Sequence, residues 1–209
     1  MTYLTQVNLD FASAARLDLR DSYRWHQAVW RAFPGHDGEQ RTFLTRLDQR
    51  RDCFRLLIVS PMEPVRPVWC PSDAESWKTK PIPETYFTRS RYAFQLCANP
   101  TKKVRKGLPD GTLSKNGQRI PLRGRDELLE WIRRKGFQGG FTADEGKLRT
   151  FARGREYFQK KGYAGLHSAI EFQGVLAVTE PAKFHEAFTC GIGSAKAFGF
   201  GLLVIAPIS

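Results

Sequence analysis

The chain has 209 residues, of which 41% are hydrophobic and 12% are aromatic. This length and apolar content suffice for one large or two small packed domains and exclude an intrinsically disordered chain. Lys and Arg number 33 against 21 Asp and Glu, which gives a formal net charge of +12. Folding does not require such an excess, so the charge predicts a polyanionic partner, and nucleic acid is favoured over an anionic membrane.

The N-terminus and the cysteines indicate the compartment. Residues 1–6 lack the basic flank and apolar core of a signal peptide. The longest apolar stretch, residues 198–208, contains two glycines and a proline and is too short to span a bilayer. No two cysteines have CxxC spacing, which argues against a zinc site, and without a secretion signal they are expected to be reduced thiols. We therefore expect a cytoplasmic protein with no membrane partner, metal or cofactor.

In the first half of the chain, hydrophobic periodicity predicts the element order β-α-β-β-(α)-β. The helix in this half has a start signal at its capping residue and a stop signal at Pro34-Gly35. The predicted elements are a strand at 3–11, a helix from Asp21 or Ser22 to about Phe33, a hairpin of 43–47 and 53–60, a stretch at 61–83 that is irregular or holds only a short helix, and a strand at 92–97.

In the second half, the same patterns predict α-β-β-α-β, with the first strand uncertain. Two such halves predict an α+β chain of two tandem ferredoxin-like (RRM-like) domains, residues 1–100 and 101–209. The predicted elements are a basic junction loop at 99–123, a helix at 125–135 ended by Gly136, a charged segment at 147–163, a hairpin of 166–172 and 175–179 around Gln173-Gly174, a helix from Pro181 to about Phe188, and a strand at 202–206.

Residues 191–201, Gly-Ile-Gly-Ser-Ala-Lys-Ala-Phe-Gly-Phe-Gly, carry the most specific pattern. Glycines let a backbone approach a ligand closely and expose N–H groups that suit phosphate, and Lys196 adds a positive charge. The P-loop pattern is absent, and the segment follows a helix and precedes a strand, unlike a dinucleotide-binding loop. Composition alone leaves open a tight, packed connection. The four glycines are Gly191, Gly193, Gly199 and Gly201.

This loop resembles the C-terminal glycine-rich signature of the RAMP superfamily and, within it, of the CasE-type CRISPR RNA endonucleases. Residues 98–103, Ala-Asn-Pro-Thr-Lys-Lys, resemble the family's A-N-P-x-K-[KR] junction, and residues 117–141 are also similar. The resemblance covers nearly the whole chain. It implies two ferredoxin-like domains, a CRISPR repeat RNA hairpin bound across them, and assembly with other subunits of the Cascade complex.

The first helix contains Tyr23 and His26, which are three residues apart and therefore neighbours on its surface. At about 100° per residue, both lie away from the side that carries Trp25 and Val29. Phe33 projects close to the histidine, so a half-buried structural histidine is the alternative. The family's catalytic signature is Tyr-x-x-His on this helix, and the resemblance therefore implies that Tyr23 and His26 are catalytic.

RNA can be cut without a metal because its 2′-OH attacks the adjacent phosphate and leaves a 2′,3′-cyclic phosphate and a 5′-OH. Such an enzyme moves two protons and stabilises the added negative charge. We assign His26 as general acid or base, Tyr23 as an assisting or orienting group, and Arg31 and Lys196 as charge-stabilising candidates. The prediction is a metal-independent endoribonuclease that matures crRNA. The main alternative is a non-catalytic RNA-binding subunit of a CRISPR effector complex.

Residues 147–161 interleave basic and aromatic side chains. The family uses a basic hairpin in this region to hold its RNA stem, and a solvated charged hairpin is the alternative. A generic RRM-like binder would need an aromatic strand motif that the strand-like segments lack. Besides the four glycines and Lys196, the candidate RNA- or phosphate-binding residues are Arg24, Arg31, Lys102, Lys103, Arg149, Arg153, Arg155, Lys160 and Lys161.

Overall fold

The computed structural model describes residues 1–36, 39–105, 107, 112, 114–115, 117–160 and 163–208, with only the backbone of 155–160 and 163–166. Two 3-10 helices, Glu84–Phe87 and Lys196–Phe198, supplement the regular elements. These elements are β1 (Thr2–Asp10), α1 (Phe11–Arg16), α2 (Ser22–Trp30), β2 (Leu44–Gln49), β3 (Cys53–Ser60), β4 (Trp77–Ile82), β5 (Arg91–Ala98), β6 (Thr101–Val104), β7 (Gln118–Pro121), α3 (Arg125–Gln138), β8 (Phe141–Ala143), β9 (Arg149–Lys160), β10 (Tyr163–Val178), α4 (Pro181–Cys190) and β11 (Leu203–Pro207).

The first sheet is antiparallel, with the strand order β2-β3-β1-β4. Helix α2 begins where the Asp21 carboxylate accepts a hydrogen bond from the backbone N–H of Arg24 at 2.8 Å. This N-cap satisfies a donor that the first helical turn leaves unpaired, and it confirms the predicted start of the helix. Trp25 and Val29 are buried in one core with Leu56 of the sheet, so the apolar side of α2 holds the helix on this sheet.

The second sheet has the strand order β11-β5-β10-β8, and β9 pairs with β10 outside this path. Its elements follow one another as β5-α3-β8-β10-α4-β11, which is the β-α-β-β-α-β order of a ferredoxin-like unit. Trp131 of α3, Phe172 of β10 and Phe184 of α4 are buried in its core. The first sheet has the equivalent strand order, so the predicted α+β fold of two tandem ferredoxin-like units is confirmed.

Strand β5 does not belong to the first unit, where a domain boundary at residue 100 would put it. It pairs with β10 on one side and with β11 on the other, so the division between the sheets falls between Ile82 and Arg91. Tyr92, Phe94 and Leu96 are buried in the second core. A strand with such an apolar face can complete either sheet, and only the long-range pairing decides which one.

The segment predicted to be irregular, residues 61–83, contains strand β4. Among the described strands it pairs with β1 alone, and it forms the edge of the first sheet. An edge strand tolerates proline because one side needs no backbone donors, and Pro81 lies opposite Tyr3 in the register. The described residues 61–76 form no helix, so the first unit lacks a regular helix between β3 and β4.

The predicted hairpin turn at Gln173-Gly174 is wrong, because β10 continues through both residues as one 16-residue strand. The hairpin is formed instead by β9 and β10, whose pairing extends from Gln173↔Arg149 to Tyr163↔Lys160. The predicted loop at 99–123 likewise contains the two-stranded pair of β6 and β7.

The bounds of two helices differ from the predictions, and one helix was not predicted. Helix α2 ends at Trp30 rather than near Phe33, and α1 had no predicted counterpart. Helix α3 runs past Gly136 to Gln138. A Cβ on Gly136 would lie 2.6 Å from the carbonyl oxygen of Phe141, so this glycine permits close packing of the helix on β8 instead of ending the helix.

The two units pack on each other through their apolar side chains. Leu57 and Val59 of β3 share one core with Leu203 and Ile205 of β11. Helix α2 contacts strand β9 of the second unit, and the 3-10 helix Lys196–Phe198 contacts both α2 and β2. The loop between α4 and β11, residues 191–201, therefore lies against the first unit beside α2.

Candidate functional site

A cavity of about 360 Å³ lies between helix α2, the first sheet and the loop of residues 191–201. Helix α2 contributes His26, and the loop contributes Phe198 and Gly199. The cavity thus brings together the two segments that the sequence singled out. Its other lining residues are Leu19, Arg20, Asp21, Ser22, Trp25, Val29, Thr45, Leu47, Phe54, Leu56 and Cys97.

Aromatic side chains surround the His26 imidazole. The indole Nε1 of Trp30 donates a hydrogen bond to Nε2 of His26 at 3.1 Å, and the Phe43 ring lies 5.7 Å from the imidazole, centroid to centroid. Because an indole N–H is only a donor, Nε2 must act as the acceptor and carries no proton in this arrangement. The ring is therefore held with a defined orientation at the edge of the cavity.

Tyr23 and Arg31 do not line this cavity. Tyr23 is half-buried on α2, one turn before His26, and Arg31 is the exposed C-cap residue of the helix. Arg24 is exposed and lies 3.5 Å from the carboxylate of Asp18. Of the four candidate residues on or at the end of α2, His26 lines the cavity, whereas Tyr23, Arg24 and Arg31 do not.

The four glycines of the loop all have positive φ values, from 78° to 88°. A Cβ on Gly201 would lie 2.6 Å from the carbonyl oxygen of Ile192, and one on Gly191 would lie 2.8 Å from a methyl carbon of Leu44. Residues other than glycine are strained at such positive φ values. Packing within the loop thus accounts for part of the glycine content, as expected for a packed connection.

This loop borders three cavities. Phe198 and Gly199 line the His26 cavity, Lys196 lines a cavity of about 520 Å³, and Gly193 and Ser194 line one of about 550 Å³. One short segment therefore connects three concave regions of the surface.

Lys196 does not line the cavity that contains His26. Its Nζ donates to the backbone carbonyl of Cys190 at 2.7 Å, and it shares its cavity with Arg41. Burial lowers the pKa of Lys196, and the nearby charge of Arg41 lowers it further. Two cations that share a cavity favour the binding of an anion there, but this place differs from the histidine cavity.

A buried network of charges joins the two units. The guanidinium of Arg46 contacts Asp48 at 3.0 Å and Glu171 at 3.0 Å, and Arg55 contacts Asp48 at 2.8 Å. Arg153 of β9, whose side chain is 31% exposed, donates from Nη1 to Asp48 and Glu171 at 3.0 and 3.2 Å. Part of the charge of Arg153 is thus neutralised within the protein, which favours a role in fixing the base of the hairpin.

The Asp48 carboxylate of this network stays ionised. Burial alone would raise the pKa of Asp48, but hydrogen bonds and positive charge from Arg46, Arg55 and Arg153 hold it well below its usual range. No local pattern in the sequence signals this network, because Arg46 and Glu171 are 125 positions apart.

The remaining basic candidates lie on two hairpins. Arg149 is exposed at the start of β9, and Phe151 beside it is 47% exposed. Lys102 and Lys103 lie on β6, where they line the cavity of about 550 Å³. The side chains of Arg155 and Lys160, and the whole of Lys161, lie outside the described residues.

Metal-binding clusters and membrane-spanning helices are both absent from the described residues. No group of three or more His, Cys, Asp or Glu side chains there is arranged to hold a metal ion. Among the helices of that part of the chain, none is both long and apolar enough to cross a membrane.

The fold and the cavity define the class to which this protein belongs. A basic chain of two ferredoxin-like units places a helix-borne histidine beside a glycine-rich loop. A family model described as "CRISPR associated protein" matches residues 2–207. The chain belongs to this family.

Individual relatives match over their full length. The Cascade subunit CasE of Escherichia coli K12 is 29% identical over 212 residues, with 99% of this chain and 100% of CasE covered. The CRISPR-associated endoribonuclease Cse3 of Thermus thermophilus is 29% identical over 220 residues, with 98% and 100% covered. The structure of Thermus thermophilus Cse3 bound to an RNA representing a pre-cleavage complex has a TM-score of 0.73 at 26% identity and covers 99% of each chain.

Proposed function

We propose that this protein is an endoribonuclease that cuts CRISPR repeat RNA hairpins without a metal ion. The observation that carries the proposal is the position of His26 in a cavity bordered by the glycine-rich loop. A full-length relative is named an endoribonuclease and has been solved with RNA in a pre-cleavage complex. The net charge of +12 suits an RNA partner.

The chemistry requires two proton transfers. The 2′-OH loses its proton as its oxygen attacks the adjacent phosphorus, and the departing 5′-oxygen gains a proton as its bond to phosphorus breaks. The products are a 2′,3′-cyclic phosphate and a 5′-OH. A histidine performs either transfer near neutral pH, and we assign one of them to His26. Tyr23, one turn away on the same helix, orients the phosphate or assists the transfer.

Positive charge around the cavity holds the RNA and stabilises the transition state. Arg31 and Arg24 at the surface of α2 and Arg149 on β9 are exposed, and α2 lies against β9. An RNA stem held by the β9–β10 hairpin therefore lies close to the helix that bears His26. Phosphate contacts of this kind carry much of the affinity for A-form RNA, whose deep groove is hidden from side chains.

The RNA product and the protein are expected to enter a Cascade complex, because the relative from Escherichia coli is a Cascade subunit. A cytoplasmic location agrees with the cysteines, none of which forms a disulfide. A non-catalytic RNA-binding subunit is the second candidate. The His26 cavity favours the enzyme over this candidate, because a purely structural subunit does not need a histidine at a cavity.

The test is incubation of the purified protein with a hairpin RNA from a CRISPR repeat of the same genome, in EDTA. The proposal expects cleavage at one position, with a 2′,3′-cyclic phosphate on one product and a 5′-OH on the other. A single 2′-deoxy substitution at the cleaved nucleotide should abolish the reaction, since it removes the nucleophile. Tight binding with no cleavage would favour the non-catalytic subunit, and cleavage of the deoxy substrate would contradict the proposed chemistry.

A further inference from the structure

The cavity of about 550 Å³ beside Gly193 and Ser194 is distinct from the one that contains His26. Its volume lies within the range of about 300–1,000 Å³ that is typical of ligand sites. Three elements build it, namely the β6–β7 hairpin, helix α3 and the first part of the glycine-rich loop. No step of the proposed reaction uses it.

The side chains that line this cavity are strongly cationic. Among its described lining residues none is a carboxylate, and of the five cations only Lys102 has a carboxylate partner, Glu127 at 2.7 Å. The uncharged lining residues are Asn99, Thr101, Trp131, Gly193 and Ser194, and the five cations are Lys102, Lys103, Arg119, Arg134 and Lys135.

Lys135 shows that this charge is concentrated. Burial lowers the pKa of its ammonium group, and the charges of Arg134, Lys196 and Arg119 lower it further. Like charges held this close repel one another unless an anion lies between them. Within the described part of the chain, Lys103, Arg119 and Arg134 form no ion pair with a carboxylate, so their charges are available to an anionic ligand.

A short chain of contacts links the basic cavity to the catalytic one. Asn99 lines the basic cavity, and its Nδ2 lies 3.0 Å from Nδ1 of His167. The His167 ring lies 4.9 Å from the ring of Phe198, which lines the His26 cavity. The side chain of His167 therefore lies between a lining residue of each cavity, a span that a few nucleotides cross.

We propose that the basic cavity binds the phosphodiester backbone of a single-stranded RNA segment that extends from the hairpin. This inference rests on the proposed function, since it assigns a second part of the same RNA. A single strand fits a cavity of this size, whereas an A-form duplex is too wide to enter it. Arginine forks and lysine ammonium groups along a groove are the means by which proteins follow a single-stranded backbone.

The test compares two double variants that each remove two positive charges. R119Q/R134Q changes two exposed cations of the basic cavity. K78Q/K183Q changes two lysines that pair with Glu75 and Glu180 elsewhere on the surface. All four side chains are exposed, so both proteins should fold, and circular dichroism and melting curves would establish this.

The RNA probes are the repeat hairpin alone and the same hairpin with about ten added nucleotides on its 5′ or 3′ side. Each carries a 2′-deoxy nucleotide at the cleavage position mapped with the wild-type protein. R119Q/R134Q should weaken binding of one extended RNA on the order of tenfold at about 0.1 M salt, and lower its salt slope by about 1.4 for two lost phosphate contacts. Binding of the hairpin alone should change no more in R119Q/R134Q than it does in the control variant.

The inference is overturned if R119Q/R134Q weakens binding of the hairpin and of both extended RNAs equally, or if it binds all three RNAs as the control variant does. Unchanged RNA binding would instead favour an acidic protein segment as the occupant of the cavity. In each of these cases the wild-type protein still binds and cuts the hairpin, and the proposed function stands. A wild-type protein that neither binds nor cuts the hairpin would remove the proposed function and this inference together.

Discussion

The indole of Trp30 and the imidazole of His26 form a hydrogen-bonded pair on helix α2, with Trp30 Nε1 3.1 Å from His26 Nε2. The two residues are one helical turn apart, so the backbone itself sets their spacing. The Trp30 ring also packs edge-on against Phe43, with centroids 5.0 Å apart. The pair thus fixes both the orientation of the imidazole and the nitrogen that carries its proton in the absence of RNA.

Replacing Trp30 by Phe should slow cleavage while RNA affinity is retained. The substitution keeps an aromatic ring against Phe43 but removes the donor that orients His26. Misplacement of a catalytic group by about 1 Å costs up to about 10²-fold in rate, so we expect roughly a 10- to 100-fold loss in single-turnover cleavage. The matched control is Trp69→Phe, because Trp69 donates to the backbone of the same helix, at Ala28, and does not touch His26. An equal loss in the two variants would attribute the effect to the helix as a whole.

Replacing Glu171 by Gln should strongly destabilise the fold. Glu171 is 3% exposed and accepts hydrogen bonds from Arg46 and Arg153. Removing one partner of a buried ion pair leaves the other charge uncompensated, at a cost of about 3–5 kcal/mol. Urea unfolding measures this loss. Glu145→Gln removes a carboxylate from an exposed pair with Arg133, and because water screens such pairs it should leave stability nearly unchanged. Similar behaviour of the two variants would contradict a buried network.

The contribution of Asp48 to stability should depend on pH only in acid. Its pKa is lower in the folded protein than the usual value, so the folded state binds this proton less readily than the unfolded state does. The stabilisation is therefore complete above the unfolded pKa of about 3.9 and is lost as the pH falls further toward the folded value. The difference in unfolding free energy between wild type and Asp48→Asn should be constant from about pH 7 to about pH 4 and shrink below it. A difference that already declines between about pH 7 and pH 5 would refute this assignment.

Replacing Gly201 by Ala should destabilise the glycine-rich loop and lower cleavage. Gly201 has φ +87°, and a Cβ there would lie 2.6 Å from the carbonyl oxygen of Ile192. Backbone strain of this kind costs on the order of 1–3 kcal/mol, and the steric clash adds to it. Gly35→Ala is the control, because Gly35 has φ +85° with no heavy atom within 4 Å of a Cβ. Thermal melts and cleavage rates should show a larger stability loss for Gly201→Ala and a rate loss for that variant alone.

The sequence predicted the features that depend on local patterns. Asp21 marked the start of α2 because a carboxylate at this position caps a helix, and the glycines marked residues 191–201 as a special loop, in which the structure shows all four with positive φ. Both segments proved to line one cavity. Their proximity in the structure follows from the tandem fold, which the element order predicted.

The features that the sequence did not predict depend on pairing between distant segments. The alternation in β5 indicates a strand but not the sheet that receives it, and Gly174 is compatible with a turn as well as with a strand that lies close to Lys147. The charged residues of β2 and β10 give no local sign that they meet. The basic cavity likewise gathers Lys103, Arg119 and Arg134 from separate elements.

The most direct test of the central claim is the single-turnover cleavage rate of His26→Ala on the repeat hairpin in EDTA. We predict a loss on the order of 10² to 10⁴, typical of a residue that transfers a proton in the transition state, with RNA affinity unchanged. His36→Ala is the control, since His36 lies beyond the end of α2 and pairs with Glu39 at the surface. Cleavage by His26→Ala at the wild-type rate would contradict the assignment of this histidine as the catalytic group.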